Sequence, residues 1–400
     1  MIPDETTLQR LADLLVGFGA NVQPGQIVAV SSELGKEPLT RAIAASAYRA
    51  GASYVEVTYS DAWVRRARLE LGTDEALETV PPWVGERILA LGEARAARIA
   101  LSGVVAPHLL EDIDPARVGR DRSSTLREAG QVINARTTNW TIGPCPTLDW
   151  AQLVHPELDA DAALAKLWAE IVRVCRLDEP DPVAAWQERM ATLVAAAERL
   201  TAARFDALHF EGPGTDLTVG LLPTSRFIAA GFETVDGIRH APNLPTEEVF
   251  TTPDPLRTEG VVRSTKPLRV GGATIRGLRV RFEGGRAVEF EAEQGAETLR
   301  AFSQQDEGAA HLGEVALVDR EGRIGPLGTV FYDTLLDENA ASHIALGNGF
   351  RFAVEEEDLG RVNQSVIHFD FMIGGDDVDV TGVTVAGERV PVLRGGAWQL

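Results

Sequence analysis

The chain has 400 residues, of which 44% are hydrophobic and 24% charged, and its formal net charge is −21. That length suggests two or three soluble globular domains. The acidic balance argues against a partner that is nucleic acid or an anionic membrane, since both need clustered lysine and arginine, and no run approaches the roughly 18–20 apolar residues of a membrane span.

The opening stretch, MIPDETTLQRLADLLVGFGA, has early acidic residues and no basic leader. It reads as an amphipathic helix over 5–18, not a signal peptide. QIVAVSS (26–32) is a short apolar strand, and PLTRAIAASAYRAG (38–51) is a helix with Gly51 past its end. SYVEVTYS (53–60) alternates as a strand. PWVGERILALGEA (82–94) is helical, ARIALSG (97–103) is a strand, and NWTIGPCPTLDWA (139–151) is a last strand running into a proline-rich loop. This order predicts an α/β domain with a mostly parallel sheet. Two helices follow, at 160–177 and 183–202. Cys145 and Cys175 form no disulfide framework and no CxxC pair, so a reducing cytoplasm is the expected setting.

The texture changes after residue 203. Short strands and glycine-rich turns dominate, and RFEGGRAVEF (281–290) is a hairpin with a Gly-Gly turn. The expected division is an α/β domain over 1–203 and a β-rich α+β domain over 204–400. One helix stands out in the second half, 334–346, with Asp333 and Thr334 as caps and Gly347 as its stop.

The chemistry collects in this second half. In SVIHFDFMIGG (365–375), His368 and Asp370 are two residues apart on a strand and share a face. An imidazole and a carboxylate on a core strand need partners; a metal ion or a His–Asp hydrogen bond would serve. His343 falls on the helix, where it is either a ligand or a structural group. Glu314 opens the apolar strand GEVALVD, and Glu247 and Glu248 adjoin in NLPTEEVFTTPDP. The other five histidines sit in turns or contexts that favour ordinary surface or core roles. Glu248, Glu314, His343, His368 and Asp370 together suit Zn²⁺, Co²⁺ or Mn²⁺, and a shared carboxylate would bridge two ions. HExxH, GxSxG, P-loop and GxGxxG signatures are absent from the sequence.

The segments NLPTEEVFTTPD, GEVALVD, FYDTLLDENAASHIALG and NQSVIHFDFMIG resemble, in order, those of the aminopeptidase T family, which includes aminopeptidase S. The resemblance implies an α/β N-terminal domain, a β-rich catalytic domain and a homodimer. It implies two divalent metal ions and removal of N-terminal residues from peptides. It places the metal ligands on Glu248, Glu314, His343, His368 and Asp370, with Glu314 bridging and also the first candidate for the general base. Glu248 is expected to face the metals, and Glu247 to face solvent. Phe350 stands where relatives carry a tyrosine, so a hydroxyl donor is missing there; Tyr332 is the candidate substitute. A metal-dependent amidase or esterase, or an impaired metal-stabilised peptide-binding protein, is the alternative reading.

Overall fold

The structure, a computed structural model, describes residues 4–122, 127–229 and 231–400. The chain forms two compact units. One comprises Met1–Ile113, Asp121–Arg189 and Gly231–Thr246, and the other Asp114–Arg120, Met190–Ala230 and Glu247–Leu400. The division passes through the long helix Pro182–Ala203.

The first unit is built on a four-stranded sheet. Ile27–Glu33 lies between Tyr54–Ser60 and Ala97–Ser102, and Trp140–Pro144 completes the order; every pairing is parallel. The helices between strands form where the residues dictate. Asp4 caps Glu5–Leu14 by accepting from the Thr7 amide. Glu37–Arg49 has proline in its first turn and buries Leu39, Ile43 and Ala47, spaced four apart on one face. Gly51, just beyond, takes the positive φ of +92° that ends a helix cleanly. These elements match the α/β reading. A further helix, Ala62–Leu71, is capped by Asp61 and escaped the sequence reading. No described helix is long and apolar enough to cross a membrane.

The second unit holds an eight-stranded sheet and a five-stranded sheet. The Gly-Gly hairpin joins Arg279–Glu283 to Arg286–Glu291, with φ of +55° at Gly284 and +80° at Gly285, as a tight hairpin turn requires. The five-stranded sheet runs in the order His368–Met372, His343–Gly347, Leu312–Val318, Glu248–Thr251 and Ile228–Ala229. Its pairings are antiparallel.

One expectation is corrected here. The helix expected over 334–346 is only Thr334–Glu338, and His343 begins a strand. The Asn339 side chain donates to the Leu335 carbonyl and ends the helix after little more than one turn. The following HIALG is buried along its whole length. A short apolar run that is buried on both faces does not alternate, so its spacing does not separate strand from helix.

Gly347 closes that strand with φ of +106°, and a Cβ there would meet the Ile367 carbonyl oxygen at 2.2 Å. The close approach sets the register of the outer two strands. Gly347→Ala should therefore destabilise the protein by roughly 1–3 kcal/mol or more, read as a lowered denaturation midpoint. An unchanged midpoint would contradict this account of the turn.

Candidate metal centre

Strand pairing decides which side chains meet. Glu248 is paired with Val318, Phe250 with Ala316, Ala316 with His343, and His343 with Met372. Glu314 is paired with Ala345, and Ala345 with Asp370. Directly opposed residues share a face, as do residues two apart on one strand. Glu248, Glu314, His343, His368 and Asp370 therefore project from one face of the five-stranded sheet. The other face carries Val249, Leu317, Val315, Ile344 and Phe371, all fully buried. Ala345 stands between Glu314 and Asp370, and its methyl group leaves room for the carboxylates to converge.

The convergence is tight. His343 Nε2 is 3.1 Å from Glu248 Oε2, and His368 Nε2 is 3.1 Å from Glu314 Oε2 and 3.5 Å from Asp370 Oδ1. Three overlapping groups each bring their ligand atoms within 4.8 Å of one another. They are Glu248, Glu314 and His343; Glu314, His368 and Asp370; and Glu338, His343 and Asp370. All five candidates from the sequence are included. Glu338 is the addition, brought in by the short helix that precedes the His343 strand. A helix extending to 346 would have hidden its role; a stop at Asn339 was the signal for it. Of the seven histidines, only His343 and His368 belong to these groups among the described residues.

Both imidazoles are oriented by the backbone. His343 Nδ1 is 3.2 Å from the Ala341 carbonyl oxygen, and His368 Nδ1 is 2.8 Å from that of Asn348. A carbonyl only accepts, so each Nδ1 carries a proton and each Nε2 faces the carboxylates. Asn339 ties two segments together. Its Oδ1 accepts from the Glu247 amide at 2.6 Å, and its Nδ2 lies 3.4 Å from Glu338 Oε1.

The electrostatics call for positive charge. Burial pushes the Glu314 carboxyl up to about 7, with Glu248 and Asp370 adding to the rise and His368 opposing it. Burial also drives Glu338 well above the usual carboxylate range, reinforced by Asp370 and Glu248. Burial opposes the charged form of His343, yet Glu248, Asp370 and Glu314 raise it to about 10. His368 is raised well above the usual imidazole range, against burial and chiefly by Asp370. Asp370 is lowered, against burial, by His368. Glu248 Oε2 is buried, and no donor is aligned on it among the described residues. Buried carboxylates and imidazole nitrogens in this proportion fit a Zn²⁺-, Co²⁺- or Mn²⁺-type ion.

Two further residues differ from or refine expectation. Glu247 is fully buried, not solvated: its Oε1 accepts from the Arg323 amide at 3.4 Å, and its own amide is held by Asn339. Opposite projection does not bring exposure, because the chain is covered on both sides of Glu247 and Glu248. Tyr332 has its hydroxyl bonded by Arg276 Nη2 at 3.0 Å, with the guanidinium 5.4 Å from the ring centroid. Because Glu247 is buried, Glu247→Gln should cost about 1–3 kcal/mol, measured by denaturant unfolding. A change within the roughly 0.5 kcal/mol usual for surface charges would contradict its burial.

The comparisons with known proteins agree with this geometry. Residues 4–398 match the family described as thermophilic metalloprotease (M29). Aminopeptidase T of Thermus thermophilus is 42% identical, with 98% of each chain covered. Aminopeptidase 2 of Geobacillus stearothermophilus is 38% identical, again with 98% of each covered. The solved structure of wild-type AmpT from Thermus thermophilus superimposes with a TM-score of 0.89 at 40% identity, and all of both chains is covered. The fold, the convergent carboxylates and imidazoles, and the full-length match lead to one conclusion: the chain belongs to the M29 family of thermophilic metalloproteases.

Proposed function

We propose that the chain is a metal-dependent aminopeptidase that hydrolyses the first peptide bond of peptides, with the β-rich half from residue 204 as its catalytic domain. The observation that carries this is the overlap of the three ligand groups, in which Glu314, His343 and Asp370 each belong to two. Overlap is what a pair of neighbouring ions needs. Four ionised carboxylates carry four negative charges, and two divalent cations carry four positive ones. The proposed ligands are Glu248, Glu314, Glu338, His343, His368 and Asp370, with Glu314 bridging.

When bound, divalent ions supply Lewis acidity that polarises the scissile carbonyl and acidifies water. The chain's own residues do the rest. The backbone carbonyls of Ala341 and Asn348 keep both Nε2 atoms aimed inward. A carboxylate of the cluster would meet the free α-amino group of a peptide directly and so favour attack next to the N-terminus. Glu314, the carboxylate that two ions would share, is assigned to accept the proton of the attacking water. Phe350 has no hydroxyl to donate to a developing oxyanion. The names of the relatives favour this reading over a non-peptide amidase or esterase, and over an impaired binding protein. A homodimer and a cytoplasmic setting complete the reading; Cys145 and Cys175 are both buried free thiols.

Loaded with Zn²⁺, Co²⁺ or Mn²⁺, the protein should hydrolyse leucyl-p-nitroanilide and lose the activity to a chelator. It should leave the N-acetylated substrate intact, because acetylation removes the ammonium. Cleavage of the acetylated substrate at a similar rate would refute exopeptidase action. Glu248→Gln keeps the shape but removes a charge, so bound metal should fall below the wild-type stoichiometry by elemental analysis, and turnover should drop at least 100-fold. Light scattering should give twice the chain mass; a monomer at micromolar concentration would remove the dimer.

A further inference from the structure

The cluster is almost closed to solvent, with one exception. The side chains of Glu248, Glu314, His343 and Asp370 are 1–10% exposed, whereas that of His368 is 29% exposed. His368 thus marks the side from which a substrate reaches the centre. The surface beside it is aromatic. The Phe350 ring centroid lies 5.2 Å from that of His368, 5.3 Å from that of Phe352 and 5.4 Å from that of Phe250. Phe350 and Phe352 are half-buried, and Phe250 is buried behind them. Phe250 shares the ligand face of the sheet with Glu248, two residues away. The wall is also fixed in place. The Phe350 amide donates to Thr252 Oγ1 at 2.8 Å, and that hydroxyl lies 3.2 Å from the Phe350 carbonyl oxygen.

We propose that Phe350, flanked by Phe352 and backed by Phe250, forms the wall that receives the side chain of the substrate's N-terminal residue, and so selects peptides that begin with a large apolar residue. The proposal rests on the aminopeptidase reading. In that reaction the scissile carbonyl belongs to the N-terminal residue itself. Its side chain branches one bond from that carbonyl and must lie within a few ångström of the cluster. An apolar side chain there removes the faces of two phenyl rings from water along with its own surface. A charged side chain would lose hydration against the same rings without gaining a partner.

The test compares leucyl-, phenylalanyl-, alanyl- and lysyl-p-nitroanilide, which have no second residue and so isolate the N-terminal side chain. Wild type should favour leucyl and phenylalanyl over alanyl by on the order of tenfold or more in kcat/KM. Phe350→Ala should bring that ratio down at least tenfold with metal stoichiometry unchanged. Phe350→Leu should give an intermediate ratio, and Phe350→Tyr should keep the wild-type ratio. Calorimetry of the products should agree, with L-leucine losing affinity relative to L-alanine in Phe350→Ala. Two results would overturn the proposal: a wild-type preference for lysyl or alanyl substrates, or a loss in Phe350→Ala that is equal for all four. Failure of metal-loaded wild type to cleave any of the four would instead overturn the aminopeptidase reading, and the proposal with it. If Phe350→Ala does not fold, Phe350→Leu and Phe352→Ala decide the matter by the same ratios.

Discussion

Carboxylates buried beside one another repel, and this repulsion is the constraint around which the second unit is organised. Glu248, Glu314, Glu338 and Asp370 are all nearly inaccessible, and neighbouring carboxylates add to the rise of both Glu314 and Glu338. Burying such charges without compensation is costly. Only a large opposing stabilisation keeps them together. The apolar far face of the five-stranded sheet supplies rigidity, and the backbone carbonyls fix the imidazoles. Two imidazoles face four carboxylates, and that imbalance is what divalent ions would meet.

The first unit shows the contrasting solution. Lys36 there is also fully buried, but its ammonium meets protein acceptors alone. It donates to Glu33 Oε2 at 2.7 Å, to the Gly103 carbonyl at 2.8 Å and to the Leu101 carbonyl at 3.1 Å. Those acceptors lie at the carboxyl ends of two adjacent parallel strands, where carbonyls naturally gather. A lone cation with three acceptors is a closed arrangement that ties together the carboxyl ends of the two inner strands. Four carboxylates with two imidazoles form an open one. Burial of charge is common to both units, but the carboxylate cluster of the second would be met by divalent ions.

The sequence revealed the fold where local signals were unambiguous. The parallel sheet of the first half followed from alternating short strands and capped helices, and the Gly-Gly hairpin from its turn chemistry. His368 and Asp370 were legible as a pair because a strand puts alternate residues on one face. The segment from Leu335 to Leu346 was not legible. It contains a stub of helix and then a central strand, both buried, and their boundary depends on one asparagine side chain capping a carbonyl. That boundary is what places Glu338 at the cluster. The burial of Glu247 is not legible for a related reason: alternation gives direction, but whether a direction leads to solvent depends on distant segments such as the one bearing Arg323. The position of Phe350 beside His368 likewise depends on pairing across the sheet, which no single stretch encodes.

On the proposed reading, the shared face of the five-stranded sheet would hold two divalent ions among six named side chains. Anomalous diffraction from a crystal of the Zn²⁺- or Co²⁺-loaded protein tests it most directly. The account predicts two peaks, each within about 2.0–2.3 Å of its ligand atoms, with Glu314 touching both. A single peak, or peaks lying away from Glu314, His343 and Asp370, would contradict it.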